Sequence, residues 1–306
     1  MRTHMKTALM LGGTQFVGKR VVQLLLERGI QVTIATRGQK QDDFRDQVTR
    51  VRLDRTDEKS VLHALQGKEF DVVFDHTCYS PVEVREVLEA LGDGVGKYVF
   101  ISSVAVYDFG ENLTEQEFNP RHFDIHYKPR EEYAGLEGYQ EAKRASEAVL
   151  YQQAPCPVVT VRFPYIVGVD DYTERFAFHV RSIEEGHSIG VSNPQARFGF
   201  VDSAEAAHFL VEVAASDFEG PINAGSDGSV SHEELYQMIA QALDREYRLS
   251  EDTMTNRSPY DLGDSLAQTT AFAHEQGFSF KEMHQVIEEQ IAIHQTAVSK
   301  KDDSGH

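Results

Sequence analysis

The sequence predicts an α/β protein: a doubly wound parallel sheet with a smaller, mainly helical lobe in its C-terminal half. Two observations predict it. Up to residue 163, short β-branched runs alternate with segments whose apolar residues recur at helical spacing. From Pro164 that alternation breaks, and longer helical patterns are interleaved with strand-like returns near residues 199–224. The expected division is a sheet domain over residues 1–163, with those returning segments, and a lobe over residues 164–306.

The first strand is expected at Thr7–Leu11, an apolar run too short for a signal-peptide core that leads straight into glycines. A helix follows over Phe16–Arg28: Val17, Val21, Leu24, Leu25 and Arg28 share a face, and Gly29 supplies the stop. Further strands are expected at Gln31–Thr36, Thr49–Leu53, Asp71–Asp75, Lys97–Ser102 and Val158–Arg162, with helices at Glu58–Leu65, Pro81–Leu91 and Glu137–Gln152. Such βα units wind right-handed and gather the loops after the strands along one edge. Asp108–Glu137 fits no period; it is long, acidic and aromatic, which suggests a lid or a mobile loop. In the lobe, helices are expected at Thr173–Glu185, Ala204–Ala215, His232–Leu243 and Phe280–His294, with strand-like Gly199–Val201 and Pro221–Asn223. The polar end, Lys300–His306, is expected to fray.

A chain of 306 residues, 41% hydrophobic and 26% charged, can bury a substantial core as an ordinary globular protein. Its formal net charge of -19 disfavours nucleic acid and anionic membrane as partners, because affinity for phosphate backbones comes from Lys and Arg. The two cysteines, Cys78 and Cys156, are too few for a disulfide framework, and a reducing, cytoplasmic setting is expected. No stretch approaches a membrane-spanning length.

Three fragments fall on the loop edge. Gly12-Gly13-Thr14-Gln15-Phe16-Val17-Gly18 joins the first strand to the first helix, where backbone N–H groups and the helix N-terminus can face a pyrophosphate. Three glycines usually serve such a cradle, and here Gln15 takes the middle place, where a side chain must avoid positive φ or accept strain. A plain strand-to-helix turn would also explain the glycines. Arg37, after the second strand, cannot accept a hydrogen bond from the ribose 2′-OH of NAD but can pair with the 2′-phosphate of NADP. NADP is therefore favoured over NAD. Asp54 is a candidate for the adenine amine, with Arg55 beside it, and Thr77, after the fourth strand, joins the cofactor candidates.

Tyr139 and Lys143 are four apart on one helix face. Tyrosine with a pKa of ~10 is a poor base at neutral pH, and an adjacent ammonium favours its phenolate. Lys143 could also hold the nicotinamide ribose. With 12 Tyr in the chain such a spacing arises readily by chance, so its place after the fifth strand matters more. Ser103, at the end of that strand, could donate to the oxygen that gains or loses a proton. His122 and His126 lack an HExxH arrangement, and no metal is expected.

With these residues the chain resembles the extended short-chain dehydrogenase/reductase superfamily, the NAD(P)-dependent epimerase and dehydratase group, over Leu11 to about Leu243. The glycine motif matches except at Gln15, and its GGTxFxG form is closer to a divergent branch that includes the chloroplast stem-loop-binding proteins. Phe100–Tyr107, Tyr139-x-x-x-Lys143, Arg162–Gly168, Phe200–Asp202 and Ile222–Ser226 are similar to later family segments. The resemblance implies a Rossmann-type fold, Ser103, Tyr139 and Lys143 as catalytic residues, and Ser103, Tyr165 and Arg197 near the substrate. It also implies a homodimer through the helices Pro81–Leu91 and Glu137–Gln152. Two departures stand out. Val104 and Ala105 replace the acidic pair of the dehydratases, and Tyr165 falls where many epimerases carry an asparagine.

The function expected is an NADP- or NAD-dependent oxidoreductase or epimerase acting on a hydroxyl or carbonyl carbon of a small molecule, a nucleotide sugar or other sugar derivative. The alternative is a non-catalytic use of the same scaffold, as an RNA-binding or regulatory protein or a dinucleotide redox sensor.

Overall fold

A computed structural model describes residues 5–250 and 254–302. Seven strands form a wholly parallel sheet. The first five are β1 (Thr7–Leu11), β2 (Gln31–Thr36), β3 (Thr49–Arg52), β4 (Val72–Asp75) and β5 (Tyr98–Ser103), joined by Val158–Phe163 and Gly220–Asn223. In space the order runs from Gly220–Asn223 through Val158–Phe163, β5, β4, β1 and β2 to β3. The order therefore reverses beside β1, and a crevice opens there between the loops that follow β1 and β4.

Helices cover both faces. On one, α1 (Phe16–Glu27) packs with the later helix Ser203–Ala215, burying Val17, Val21, Val22 and Leu25 against the sheet. On the other lie α2 (Glu58–Leu65), α3 (Pro81–Leu91) and α4 (Gly135–Gln153), over Leu9, Leu11, Val73 and Phe100. Local sequence sets their starts: Asp57 caps α2, and Ser80 caps α3 with Pro81 in its first turn.

The second lobe has its own core around Phe176, Phe198, Phe200, Tyr236 and Tyr260. Its helices are α5 (Arg175–Glu184), α6 (Ser203–Ala215, the one that returns to the sheet), α7 (His232–Leu243), α8 (Ala271–Glu275) and α9 (Met283–Asp302). Three small sheets of two- to four-residue strands run between them, so the lobe is mixed α/β in detail. Of the C-terminal stretch expected to fray, Lys300–Asp302 continues α9, and residues 303–306 lie outside the described residues.

The segment expected to be a lid is anchored. Its strand Gly110–Leu113 pairs with Leu266–Gln268 of the second lobe, and Arg162 donates to the carbonyls of Glu115 at 3.1 Å and Phe118 at 3.2 Å. The carboxylate of Glu115 accepts from the backbone of Asn223 at 2.7 Å. Among the described residues no helix is long and apolar enough to cross a membrane.

Candidate active site

The glycine turn after β1 takes backbone that few side chains tolerate. Gly12 has φ +105° and Gly13 φ +89°, and a Cβ on Gly12 would lie 2.8 Å from Thr77 Cγ2. Gly18 lets α1 close on the turn, since a Cβ there would lie 2.9 Å from Gly13 Cα. Gln15 avoids strain: its φ of -142° is extended, and the left-handed conformation passes to Phe16, at φ 48°. Gln15 makes no side-chain cap, so it satisfies none of the first N–H groups of α1, and Phe16, Val17 and Gly18 of that first turn line the crevice.

That turn forms one end of a cavity of about 590 Å³, which Ser103, Tyr139 and Lys143 also line. Ser103 ends β5 and its Oγ accepts from Ala105 N at 3.2 Å, which fixes the strand-to-turn corner. Lys143 is 4% exposed. Its Nζ donates to the carbonyls of Cys78 at 3.1 Å and Ile101 at 3.0 Å and lies 5.8 Å from the centre of the Tyr139 ring. Burial pulls its pKa down, but Tyr139, Cys78, Tyr79 and Asp75 outweigh burial and raise it, so the lysine is a cation. The three residues that the sequence singled out therefore share one cavity with the glycine turn. Val104 and Ala105, buried beside Ser103, add no acid or base.

Two residues on the loop after β4 were not anticipated. Tyr79, half-exposed, stands 6.2 Å from Tyr139, ring centre to ring centre, and 5.3 Å from Lys143 Nζ. His76 lines the cavity with a buried Nε2 that has no hydrogen-bond partner, and burial pulls its pKa down to about 4. Neither belongs to a spaced motif. Only the position of their loop on the strand edge could have pointed to them.

A recess of about 320 Å³ continues from the glycine turn past β2 and is bordered by Arg37, Lys40, Asp54, Arg55, Thr77 and Arg130. Thr77 borders both spaces, its Oγ1 donating to Leu11 O at 3.4 Å. Asp54 accepts from Thr56 N at 3.1 Å and Thr56 Oγ1 at 2.8 Å, and these bonds hold its carboxyl below the usual range. Arg55, expected beside Asp54 as a cofactor candidate, borders the recess but is only 7% exposed, its guanidinium turned inward to Asp75 and to Glu83 O. Burial pushes Asp75 upward, but the guanidinium of Arg55 and the hydroxyl of Tyr98 outweigh it and hold the carboxyl low. Arg55 thus serves β4 and α3.

The far wall belongs to the second lobe and includes Tyr165 and Arg175. Arg197, expected near the substrate, does not line this cavity. Glu234 at 3.0 Å and Ser229 at 2.7 Å capture its guanidinium first, across the small sheet on which it lies. Among the described residues no group of three or more His, Cys, Asp and Glu is arranged to hold a metal ion.

The NAD dependent epimerase/dehydratase family matches residues 8–225, which include the glycine turn, Ser103, Tyr139 and Lys143. The chain belongs to this family. Among curated relatives, it is 29% identical over 203 residues to the chloroplast stem-loop binding protein of 41 kDa b of Arabidopsis thaliana, covering 61% of this chain and 49% of that protein. The chain thus matches about half the length of that relative. It is also 25% identical over 248 residues to the 2'-dehydrokanamycin reductase of Streptomyces kanamyceticus, covering 78% of this chain and 67% of the reductase. In fold it is similar to the UDP-glucose 4-epimerase of Thermus thermophilus in complex with NAD, with a TM-score of 0.66, 19% identity, and coverage of 94% and 99% of the two chains.

Proposed function

We propose that this family member is an NAD(P)-dependent oxidoreductase or epimerase acting at a hydroxyl or carbonyl carbon of a sugar derivative. The observation that carries the reading is a single cavity lined at one end by the glycine turn and along its wall by Ser103, Tyr139 and Lys143. The turn suits a dinucleotide: Gly12, lacking a Cβ that would strike Thr77, lets the turn close on the loop after β4 and line the cavity, and the N–H groups opening α1 suit a pyrophosphate. A bound nicotinamide supplies or accepts the hydride. Arg37, with Lys40 and Arg130 around the same recess, favours NADP through its 2′-phosphate.

The chain's own part is the proton. Tyr139 exchanges it with the substrate oxygen, and Ser103 Oγ donates to that oxygen and fixes its position. Lys143 keeps a positive charge beside the phenol, and its third N–H remains for a ribose hydroxyl. With Val104 and Ala105 beside Ser103, elimination of water has no acid or base to serve it, so transfer at one carbon is the chemistry supported.

One observation favours the second reading, a dinucleotide-binding or RNA-binding scaffold without turnover: Lys143 already donates to two carbonyls and lies under Tyr79. Its named relative binds a stem-loop, but the net charge of -19 weighs against a nucleic-acid partner here. The test is hydride exchange between NADPH and a panel of keto sugars. Turnover by the wild type that falls at least about a hundredfold in Tyr139→Phe, with NADPH binding kept, supports the enzyme. No turnover in the wild type with cofactor bound supports the scaffold, and equal turnover in the two proteins would remove Tyr139 from the chemistry.

A further inference from the structure

The chain carries 49 Asp and Glu against 30 Lys and Arg, yet among the described residues no carboxylate lines the large cavity. Two cations do, Lys143 and Arg175. Surface charge is screened beyond about 8–10 Å at moderate salt, so these two are the charged groups that a ligand in the cavity meets directly, with Asp261 acting on Tyr165 from behind the wall.

Lys143 belongs to the cofactor end, tied to two backbone carbonyls beside Tyr139. Arg175 stands apart at the start of α5. Its Nε donates to Thr173 Oγ1 at 3.0 Å, and its guanidinium lies 5.2 Å from the centre of the Tyr165 ring. Among the described residues no carboxylate pairs with it. Glu174 pairs with Arg181, and Asp171 accepts from Thr173 through Oδ1 and makes no ion pair with Arg175, although its Oδ2 is buried without a hydrogen-bond partner. The same wall continues with Pro259, Leu262 and Leu266, which are uncharged, and Arg197 is held elsewhere by Ser229 and Glu234.

We infer that the substrate carries one compact anionic group, a carboxylate, phosphate or sulfate, and that Arg175 receives it. The assignment rests on the oxidoreductase reading for the word substrate and adds its chemical class. A planar guanidinium with both terminal nitrogens unengaged, seated on an aromatic ring in a half-buried wall, offers two parallel donors to such a group. A nucleoside diphosphate would place further charge against Pro259, Leu262 and Leu266. Tyr165 links the two halves of the site, being close enough to Arg175, to the carboxylate of Asp261 behind the wall and to Tyr139 for each to act on its hydroxyl electrostatically.

Calorimetric titration of the full chain tests this with four probes: inorganic phosphate, glucose, glucose 6-phosphate and UDP-glucose, on the wild type, Arg175→Gln and Arg175→Lys. Glucose 6-phosphate is expected to bind at least about tenfold tighter than glucose and no weaker than UDP-glucose. Arg175→Gln removes that advantage together with phosphate binding, and Arg175→Lys keeps part of both, because a point charge replaces the fork. Glucose binding as tightly as its phosphate, UDP-glucose binding well above glucose 6-phosphate, absence of binding by both phosphate and glucose 6-phosphate at millimolar concentration, or an anion preference intact in Arg175→Gln each overturns it. NADPH titrated separately into the same proteins separates the two readings. Loss of cofactor binding with the Arg175-dependent preference kept would sink the oxidoreductase and leave the anion site standing.

Discussion

Arg162 grips both carboxylate oxygens of Glu147, at 3.1 and 2.6 Å, with both side chains at 0% exposure. Glu147 lies one helical turn beyond Lys143 on α4 and also accepts from Ser102 Oγ at 2.5 Å, next to Ser103. The remaining donors of Arg162 reach Tyr107 OH at 2.9 Å and the carbonyls of Glu115 and Phe118. One buried pair therefore fixes the helix bearing Tyr139 and Lys143 against the strand bearing Ser103.

Glu147→Ala is expected to lower stability by about 3–5 kcal/mol, because it leaves a buried guanidinium without its anion. Urea unfolding reads the loss. A change under about 1 kcal/mol would mean that the pair does not anchor α4.

Stability is expected to fall as the pH drops from 6.5 toward about 5. Burial pulls His76 and His232 to about 4 and His179 to about 3, against an ordinary value of 6.5. Between those values the unfolded chain takes up protons that the folded chain refuses, so acid favours unfolding. Above pH 6.5 both states hold these rings neutral and the effect vanishes. Each such histidine contributes up to about 1.4 kcal/mol per pH unit. Thermal unfolding across this range should show the drop, and replacing His179 by Phe should flatten it; a Tm level from pH 7 to pH 5 would contradict it.

Gly18→Ala should weaken NADPH binding by about tenfold or more and cost about 1–3 kcal/mol of stability. Its Cβ would sit 2.9 Å from Gly13 Cα, which is backbone and can yield only if the turn opens. Unaltered affinity and stability would show that the turn has room to spare.

Arg37→Asp is expected to move cofactor preference from NADPH toward NADH by at least about tenfold, by exchanging a partner of the 2′-phosphate for an acceptor from the 2′-OH. Parallel affinity measurements with the two cofactors check this. A variant with the wild-type ratio would remove Arg37 from cofactor selection.

The sheet was legible because its cues are local. The helical face of Val17, Val21, Leu24 and Leu25 and the stop at Gly29 each act within a few residues. Ser103, Tyr139 and Lys143 could be placed together because each follows a recognisable strand on the edge where parallel strands end. The remainder depends on partners distant in sequence. Gln15 escapes strain because Phe16 takes the left-handed conformation. Asp75 holds the guanidinium of Arg55 inward at the edge of the recess, Glu234 holds Arg197 away from the cavity, and no spacing reveals such pairs. The lobe's strands are two to four residues long, too short to show a period. Tyr79 and Arg175 reach the cavity only through tertiary packing.

The most direct measurement of the central claim is a titration of the purified chain with NADPH and with NADH, followed by nicotinamide fluorescence. Saturable binding of both, tighter for NADPH, is the result expected of a glycine turn, Arg37 and Lys143 that receive one dinucleotide. Failure of either nucleotide to bind would contradict it.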